Sequence, residues 1–344
     1  MKPNYSNRIP LRSRAIVIVL VALLLSVVQP QSAQGAAYTV QYDAAVARMV
    51  GAVSQSTLSA YVARLSGVNG VVVGGSPYRI RTRNTESGAP IQKTTQYLYE
   101  YLKGLGTLDS VKYASWSLDG YTGRNVIGEL TGTTRPSEII LLTAHVDDMP
   151  YGNLAPGADD NASGTAAVMM AARILGRYNF ERTIRFVFFT GEEQGLLGSW
   201  VYARNAKNAG QNIVAVLNMD MLGWDSENGP TMRVHTRAGT AGAGDRDIAN
   251  AFVDVVGVYA ISLDPIITSY GMNASDHGSF WDFGYAAVCI IEDDGDQYGR
   301  YDDFNPYYHS TSDTLSKLNM PYFTNMVKAV IGTAAHLAIR SAAP

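Results

Sequence analysis

After residue 37, the apolar residues form short continuous runs in some segments and recur with helical spacing in others. Short runs that are almost continuously apolar are typical of strands covered on both faces of a sheet, and longer stretches with helical spacing separate them. The runs predict strands that begin at Val111, Arg124, Glu138, Thr183, Ile213 and Tyr285. Helical spacing predicts helices over residues 43–65, interrupted at Gly51, and over 91–105, 162–178, 196–208, 245–258 and 317–340.

The alternation of strands and helices predicts the fold class. It indicates an α/β fold with a central mixed, largely parallel sheet and helices on both faces. The chain has 344 residues, of which 47% are hydrophobic and 17% charged, and this is enough for a sizeable core. Because no repeat, linker or change of composition follows residue 37, we expect residues 37–344 to form a single globular domain.

The N-terminal segment has the pattern of a secretory signal. Basic residues precede an apolar run from Ala15 to Val28, and small residues follow it. The run is shorter than the roughly 18 residues wanted for a membrane span. We therefore expect residues 1–36 to be a signal peptide, cleaved near Gly35 to Ala37, and the mature protein to be secreted without a membrane anchor.

Charge and cysteine content limit the partners further. A net charge of -3 lacks the basic excess that nucleic acids and anionic membranes attract, so we expect neither as a partner. Small or neutral substrates fit better, and we expect a monomer. Cys289 is the only cysteine, which excludes an internal disulfide, and its apolar neighbours place it in a buried strand.

Acidic and imidazole side chains follow the ends of the predicted strands. His145 and Asp147 are two residues apart in AHVDD, so they project to the same side, and the carboxylate can hold the second imidazole nitrogen. Glu192 and Glu193 follow the apolar run FVFF, at the sheet edge where ligands bind in open α/β folds. Taken singly, a structural histidine or a glutamate at a helix N-terminus explains each motif equally well.

The same placement recurs farther along the chain. In PGADDNASG, we expect one of Asp159 and Asp160 to cap the following helix and the other to face the site. Asp220 ends the next strand, and His309 precedes the C-terminal helix. Without a shared site, each acidic or imidazole residue at a strand end would need its own explanation as a helix cap or a packing residue. A shared site is the simpler interpretation.

Charge counting favours two metal ions at such a site. Asp160, Glu193 and Asp220 would bring three negative charges into a water-poor environment, which is costly unless cations compensate. Two Zn²⁺ ions leave one positive charge, which a bridging hydroxide neutralises. Nitrogen and carboxylate donors without thiolate suit zinc, although cobalt or manganese can substitute chemically.

Taken together, the motifs resemble those of the secreted bacterial zinc aminopeptidases, within the co-catalytic dinuclear zinc exopeptidases. The matching stretches are AHVDD, PGADDNASG, FTGEEQGLLGS, LNMDMLGW, SDHGSFW and YHSTSDT, which occur in the family's order from about Arg79 to the C-terminus. Residues 37–344 would then be the catalytic domain. Several members of the family carry a disulfide near the active site, which a single cysteine cannot reproduce.

The resemblance also implies roles for individual residues. It places two zinc ions on ligand sets that share Asp160: His145 with Asp220, and Glu193 with His309. It implies that Glu192 is the general base, which moves a proton from the metal-held water to the departing amine, and that the peptide after Asp160 is strained and cis. Tyr308 resembles a tyrosine that some members direct at the oxyanion, although packing explains tandem aromatic residues equally well.

Other polar residues receive more ordinary interpretations. In SDHGSFW, Ser275 and Asp276 look like a helix start, and His277 is expected to be structural or to support a ligand. His235 and His336 have no acidic companions in the sequence and are taken as packing or surface residues. The acid-rich stretch from Glu292 favours a solvated loop, with calcium binding or attraction of a substrate amine as alternatives.

Four functions fit this pattern. The leading hypothesis is an aminopeptidase that acts on peptides with an apolar N-terminal residue. A carboxypeptidase or dipeptidase would use the same ligands, and a glutaminyl-cyclase-like transferase can work with one zinc. A binding protein that lost catalysis is disfavoured because the ligand positions and Glu192 are intact. Fold analogy alone does not separate the three enzymes.

Overall fold

An eight-stranded sheet runs through the centre of the fold in a computed structural model that describes residues 38–295 and 303–339. The predicted signal peptide lies outside the described residues and stays a prediction. Within the described residues, no helix is long and apolar enough to cross a bilayer.

The strands follow the order β3-β4-β6-β5-β7-β10-β8-β9 across this sheet, and β1 and β2 form a separate hairpin. Their bounds are β1 Val71–Val73, β2 Ser76–Tyr78, β3 Ser110–Leu118, β4 Tyr121–Leu130, β5 Arg135–His145, β6 Arg182–Phe189, β7 Asn212–Met219, β8 Thr231–His235, β9 Asp264–Thr268 and β10 Ala287–Ile291. The neighbouring strands β6, β5, β7 and β10 are parallel, and β3 and β4 pair in antiparallel fashion. β8 is antiparallel to β10 and parallel to β9. The predicted mixed sheet is confirmed.

Two strands of the eight-stranded sheet carry weak sequence signals and were not predicted, nor was the hairpin of β1 and β2. β8 is short and contains Arg233 and His235, so it lacks a continuous apolar run. β9 begins with Asp264 and a proline and lies at the edge of the sheet, where it pairs only with β8 within the described chain. Proline is tolerated in an edge strand because its missing N–H can face the side that has no partner strand.

Helices cover both faces of the sheet, as predicted. Their bounds are α1 Ala44–Gly51, α2 Gln55–Leu65, α3 Ala89–Leu105, α4 Ala162–Leu175, α5 Leu197–Asn208, α6 Ala243–Val258, α7 His277–Asp282 and α8 Met320–Leu337. The core on one face involves α1 to α4, α6 and α8, and the core on the other involves α5 and α7. The helix predicted over 43–65 is two helices, which Asp43 and Ser54 cap separately.

β6 shows how the sequence sets up the site. Phe186 and Phe188 pack in one apolar core and Val187 and Phe189 in the other, so the run FVFF is buried on both faces as predicted. The strand therefore has no side that tolerates an acid. Polar groups can only follow it, and because β5, β6 and β7 are parallel neighbours, their C-terminal ends meet at one edge.

Candidate metal centre

Five of the predicted site residues converge at this edge. Nε2 of His145 lies 3.2 Å from Oδ1 of Asp220 and 3.3 Å from Oδ1 of Asp160. On the other side, Nε2 of His309 lies 3.2 Å from Oδ2 of Asp160 and 2.9 Å from Oε2 of Glu193. The two oxygens of Asp160 thus face different histidines, and the donors form two groups that share this carboxylate.

Strand ends and two loops bring these residues together. His145 is the last residue of β5, Asp220 directly follows β7, and Glu193 stands in the turn after β6. Asp160 lies in the loop before α4 and His309 in the loop before α8. His309 has φ 53°, a left-handed conformation that is uncommon outside glycine and clusters at functional sites.

The loop before α4 differs in one respect from the prediction. The peptide between Asp160 and Asn161 is cis, as the family resemblance implied. Neither aspartate caps the helix, however, because Oδ1 of Asn161 accepts the hydrogen bond from the N–H of Gly164. Asp159 turns away and accepts hydrogen bonds from the N–H of Gly223 and the side chain of Asn305. Its role as the helix cap was therefore predicted wrongly.

The donor set fits a metal ion. A tetrahedral zinc with bonds of 2.0 to 2.1 Å has ligand atoms about 3.3 Å apart, close to the separations around both histidines. Among the described residues, Nε2 of His309 and Oε1 of Glu193 have no hydrogen-bond partner although they are buried. Buried polar atoms are normally paired, so these two unpaired atoms need another partner, and a metal ion bound between them would supply it.

Burial and crowding of the acids perturb their protonation. Burial raises the pKa of Glu193 to about 7, with the charge of Asp160 adding to the rise. Burial raises the pKa of Glu192 well above its usual value. His145 lowers this pKa, and the negative charges of Asp220 and Asp276 raise it. Protons and metal ions compete for such oxygens, so metal affinity should rise with pH. Glu192 also lies close to His145 and Glu193, as a proton acceptor at this centre must.

Asp147 lies beside His145, but its contacts differ from those predicted. Nδ1 of His145 lies 3.2 Å from the main-chain carbonyl of Asp147 and 3.9 Å from Oδ1 of its carboxylate. The longer distance exceeds a hydrogen bond, so the carbonyl rather than the carboxylate orients the imidazole. Oδ2 instead accepts hydrogen bonds from the hydroxyl of Thr85 and the N–H of Glu193.

Asp147→Asn is expected to weaken zinc binding or turnover by roughly 10- to 100-fold without abolishing either. The amide removes a negative charge beside the metal ligands, but the carbonyl that holds His145 remains. Chelator competition and steady-state kinetics on the variant measure both effects. A metal-free, inactive Asp147→Asn protein would mean that Asp147 is itself a ligand.

Tyr308 lies at the rim of the centre. Its ring stacks on the imidazole of His309 with 3.7 Å between centroids, and it is 41% exposed. Burial of part of the side chain and the negative charge of Asp160 both raise the pKa of the phenol, which therefore keeps its proton. The structure brings the phenol to the site, and its role toward an oxyanion stays a prediction.

SDHGSFW contains a buried acid, Asp276, near His145 and Asp220, and a buried histidine, His277. Asp276 precedes α7, as expected of a helix start, but its side chain makes no capping hydrogen bond. Burial raises its pKa to about 7 despite the opposing influence of His145. Nε2 of His277 lies 2.8 Å from the carbonyl of Met272 and burial lowers the pKa of His277 to about 3, in keeping with a structural role.

When the pH falls from 7 to 5, the free energy of unfolding is expected to decrease less in His277→Gln than in the wild-type protein. Unfolding frees His277 to bind a proton below pH 6.5, whereas the folded protein binds it only near pH 3. The wild-type protein should therefore lose about 2 kcal/mol of unfolding free energy from this residue between pH 7 and pH 5. Urea unfolding of both proteins at these pH values measures the difference, because other titrating groups are common to both. Equal losses would contradict the assignment.

The acid-rich stretch from Glu292 is not a solvated loop where the structure describes it. Glu292 is fully buried and accepts a hydrogen bond from the N–H of Trp224, and Asp293 pairs with Arg233. Asp294 lies 3.0 Å from Nε2 of His235, so that histidine has an acidic companion from a distant part of the sequence. Residues 296–302 lie outside the described chain, and the calcium alternative stays a prediction.

The fold and the donor set define a class of protein: an α/β protein with a metal centre at the C-terminal edge of its sheet. Within this class, the chain belongs to peptidase family M28, whose sequence profile matches residues 125–334. All five converging residues lie in that range.

Similar proteins agree with this assignment. The chain is 32% identical over 230 residues to a probable aminopeptidase of Saccharomyces cerevisiae, covering 63% of this chain and 58% of the relative. Leucine aminopeptidase 1 of Trichophyton rubrum is 29% identical over 231 residues, covering 63% and 59%. The chain therefore spans less than two thirds of the length of these relatives.

Solved structures show the same fold. The LapA aminopeptidase of Legionella pneumophila matches with a TM-score of 0.72 and 22% identity, over 89% of this chain and 77% of that chain. A zinc aminopeptidase of Bacillus subtilis matches with a TM-score of 0.55 and 25% identity, over 66% and 53%. A glutaminyl cyclase of Fimbriiglobus ruber, 19% identical, reaches a TM-score of 0.63 over 82% and 95%.

Proposed function

We propose that this protein is a metallo-aminopeptidase with two zinc ions, which removes the N-terminal residue of peptides. The observation that carries the proposal is the pair of donor groups sharing Asp160, with Glu192 beside them. Membership of peptidase family M28 and the likeness to aminopeptidases support the reaction class.

The five converging residues would hold the metal. His145 and Asp220 would bind one ion, Glu193 and His309 the other, and Asp160 both. Zinc bound there supplies a water that ionises near neutral pH and a Lewis acid for the scissile carbonyl. Glu192 takes the proton from the attacking water and delivers it to the departing amine.

An apolar cluster beside Asp220 supports a preference for apolar N-terminal residues. Met221, Cys289 and Ile291 are buried together, and Phe304 packs against them. Phe304 also contacts Tyr308 with 5.2 Å between ring centroids, so the cluster is continuous with the rim of the metal centre. The three clustered residues are themselves buried, so an apolar substrate side chain would contact the partly exposed rings of Phe304 and Tyr308, and removal of that apolar area from water is favourable.

Two other reactions use the same centre and are alternatives. The metal ligands do not determine which end of a peptide is recognised. A carboxypeptidase or dipeptidase would therefore have the same ligands. The likeness to a glutaminyl cyclase favours the transferase as the second candidate, with a single zinc ion.

Product analysis on three versions of one peptide separates these functions. We propose an unblocked peptide with an N-terminal leucine, its N-acetylated copy and its C-terminally amidated copy. An aminopeptidase releases leucine from the first and third and spares the second. Release of the C-terminal residue would identify a carboxypeptidase. A further peptide with glutamine in place of the N-terminal leucine tests the cyclase, which would close that glutamine to a ring without hydrolysing a peptide bond.

A further inference from the structure

A short buried segment outside the range of the family profile contacts residues that adjoin the metal centre. Residues 82–85 are buried, and Thr85 begins a single turn of 3-10 helix before α3. The hydroxyl of Thr85 donates a hydrogen bond to Oδ2 of Asp147 at 3.0 Å and accepts one from the N–H of Gly191 at 3.0 Å. The hydroxyl is thus placed between the end of β5 and the turn after β6.

The same carboxylate oxygen has a second donor in that turn. The N–H of Glu193 donates to Oδ2 of Asp147 at 3.1 Å. Thr85 and Asp147 therefore hold the main chain at Gly191 and at Glu193, the residues on either side of Glu192. Glycine at 191 has φ 81° and no Cβ to limit its main chain, so the turn depends on hydrogen bonds. The carbonyls of Gly191 and Glu192 accept from main-chain N–H groups of residues 195–197, and the bonds to Thr85 and Asp147 hold the N–H groups on either side.

Thr85 has a fixed position because Arg83, two residues before it, is held by several hydrogen bonds. Arg83 is fully buried, and its guanidinium donates to the carbonyls of Val146, Pro156 and Gly157 at 2.7 to 2.9 Å. A guanidinium is a rigid fork of donors, so several carbonyl bonds fix its position strongly. Arg83 ties the segment to the loop that carries Asp160 as well as to β5.

We propose that Thr85 is a positioning residue, whose hydroxyl, together with the Asp147 carboxylate, fixes the turn that carries Glu192 and Glu193. The inference rests on the proposed metal centre. A support of this kind acts on the ion held by Glu193 and His309, because Glu193 is the ligand whose main chain it holds. The ion held by His145 and Asp220 is affected less directly, because Asp147 orients His145 through its main-chain carbonyl and not through the carboxylate that Thr85 contacts.

The test uses Thr85→Val, which keeps the shape of the side chain without the hydroxyl, and Thr85→Ser, which keeps the hydroxyl. Thr183→Val is the matched control. The hydroxyl of Thr183 is also buried and also accepts from a main-chain N–H, of Gly132 at 3.0 Å, and donates to a carbonyl, of Pro136 at 2.8 Å. It lies near the opposite end of β6 from Glu192.

Competition with a chromogenic chelator measures zinc affinity. In Thr85→Val, we expect one of two ions to be held roughly 10- to 100-fold more weakly, with a comparable loss of kcat. Thr85→Ser and Thr183→Val should match the wild-type protein in both measurements. In a His309→Ala background, which removes the ion in question, adding Thr85→Val should leave the affinity of the remaining ion unchanged.

The outcomes separate failure of this inference from failure of the proposed function. A wild-type protein that binds no zinc would overturn the metal centre and this inference with it. A wild-type protein with two ions, and a Thr85→Val variant that keeps both affinities and its kcat, would overturn only the role of Thr85. A loss in Thr85→Ser as large as in Thr85→Val would overturn it too. If Thr85→Val does not fold, Thr85→Ala carries the same expectations.

Discussion

Glu192→Gln is expected to keep its zinc and lose turnover by at least about 10²- to 10⁴-fold. The amide has the shape of the carboxylate but cannot accept a proton. Because the same group would also protonate the departing amine, the loss should exceed that of a group with one role. Elemental analysis and kinetics on an unblocked peptide measure the two effects on one preparation.

Glu193→Gln provides the comparison, because it alters the adjacent residue by the same chemical change. If Glu192→Gln loses zinc while Glu193→Gln keeps both ions and is merely slower, the two roles are reversed. If both variants keep zinc and near-normal rates on every peptide tested, the catalytic site lies elsewhere in the protein.

Glu193→Ala and His309→Ala are each expected to lose metal as well as activity. Each substitution removes a donor from the group around Asp160 and leaves the remaining buried charges unbalanced. His336→Ala is a matched control for His309→Ala, because His336 is also partly buried but lies 2.8 Å from the hydroxyl of Tyr259, away from Asp160 and Glu193. Full metal content in both Glu193→Ala and His309→Ala would show that neither residue is a ligand.

The sequence was informative where a strand is buried on both faces. The run FVFF excludes polar groups, so the position of Glu192 and Glu193 at the sheet edge follows from the apolar pattern alone. The same reasoning locates His145 and Asp220, because β5 and β7 are also buried and parallel to β6. Local sequence patterns suffice for these elements since each depends on its own residues.

The sequence was uninformative where a contact joins distant segments. One of Asp159 and Asp160 was expected to cap α4, but Gly223 and Asn305 approach Asp159 only after the chain has folded. His235 was left without an acidic companion because Asp294 is far away along the chain. Thr85 has no motif of its own, since its role depends on Asp147 and on the turn after β6. Tertiary packing determines these contacts, and no local pattern encodes them.

The zinc content of the wild-type protein tests the central claim most directly. The protein would be incubated with excess zinc, freed of unbound metal and measured by elemental analysis. Two donor groups that share Asp160 predict close to two zinc ions per chain. A reproducible value near one would contradict the dinuclear centre and favour the cyclase-like function instead.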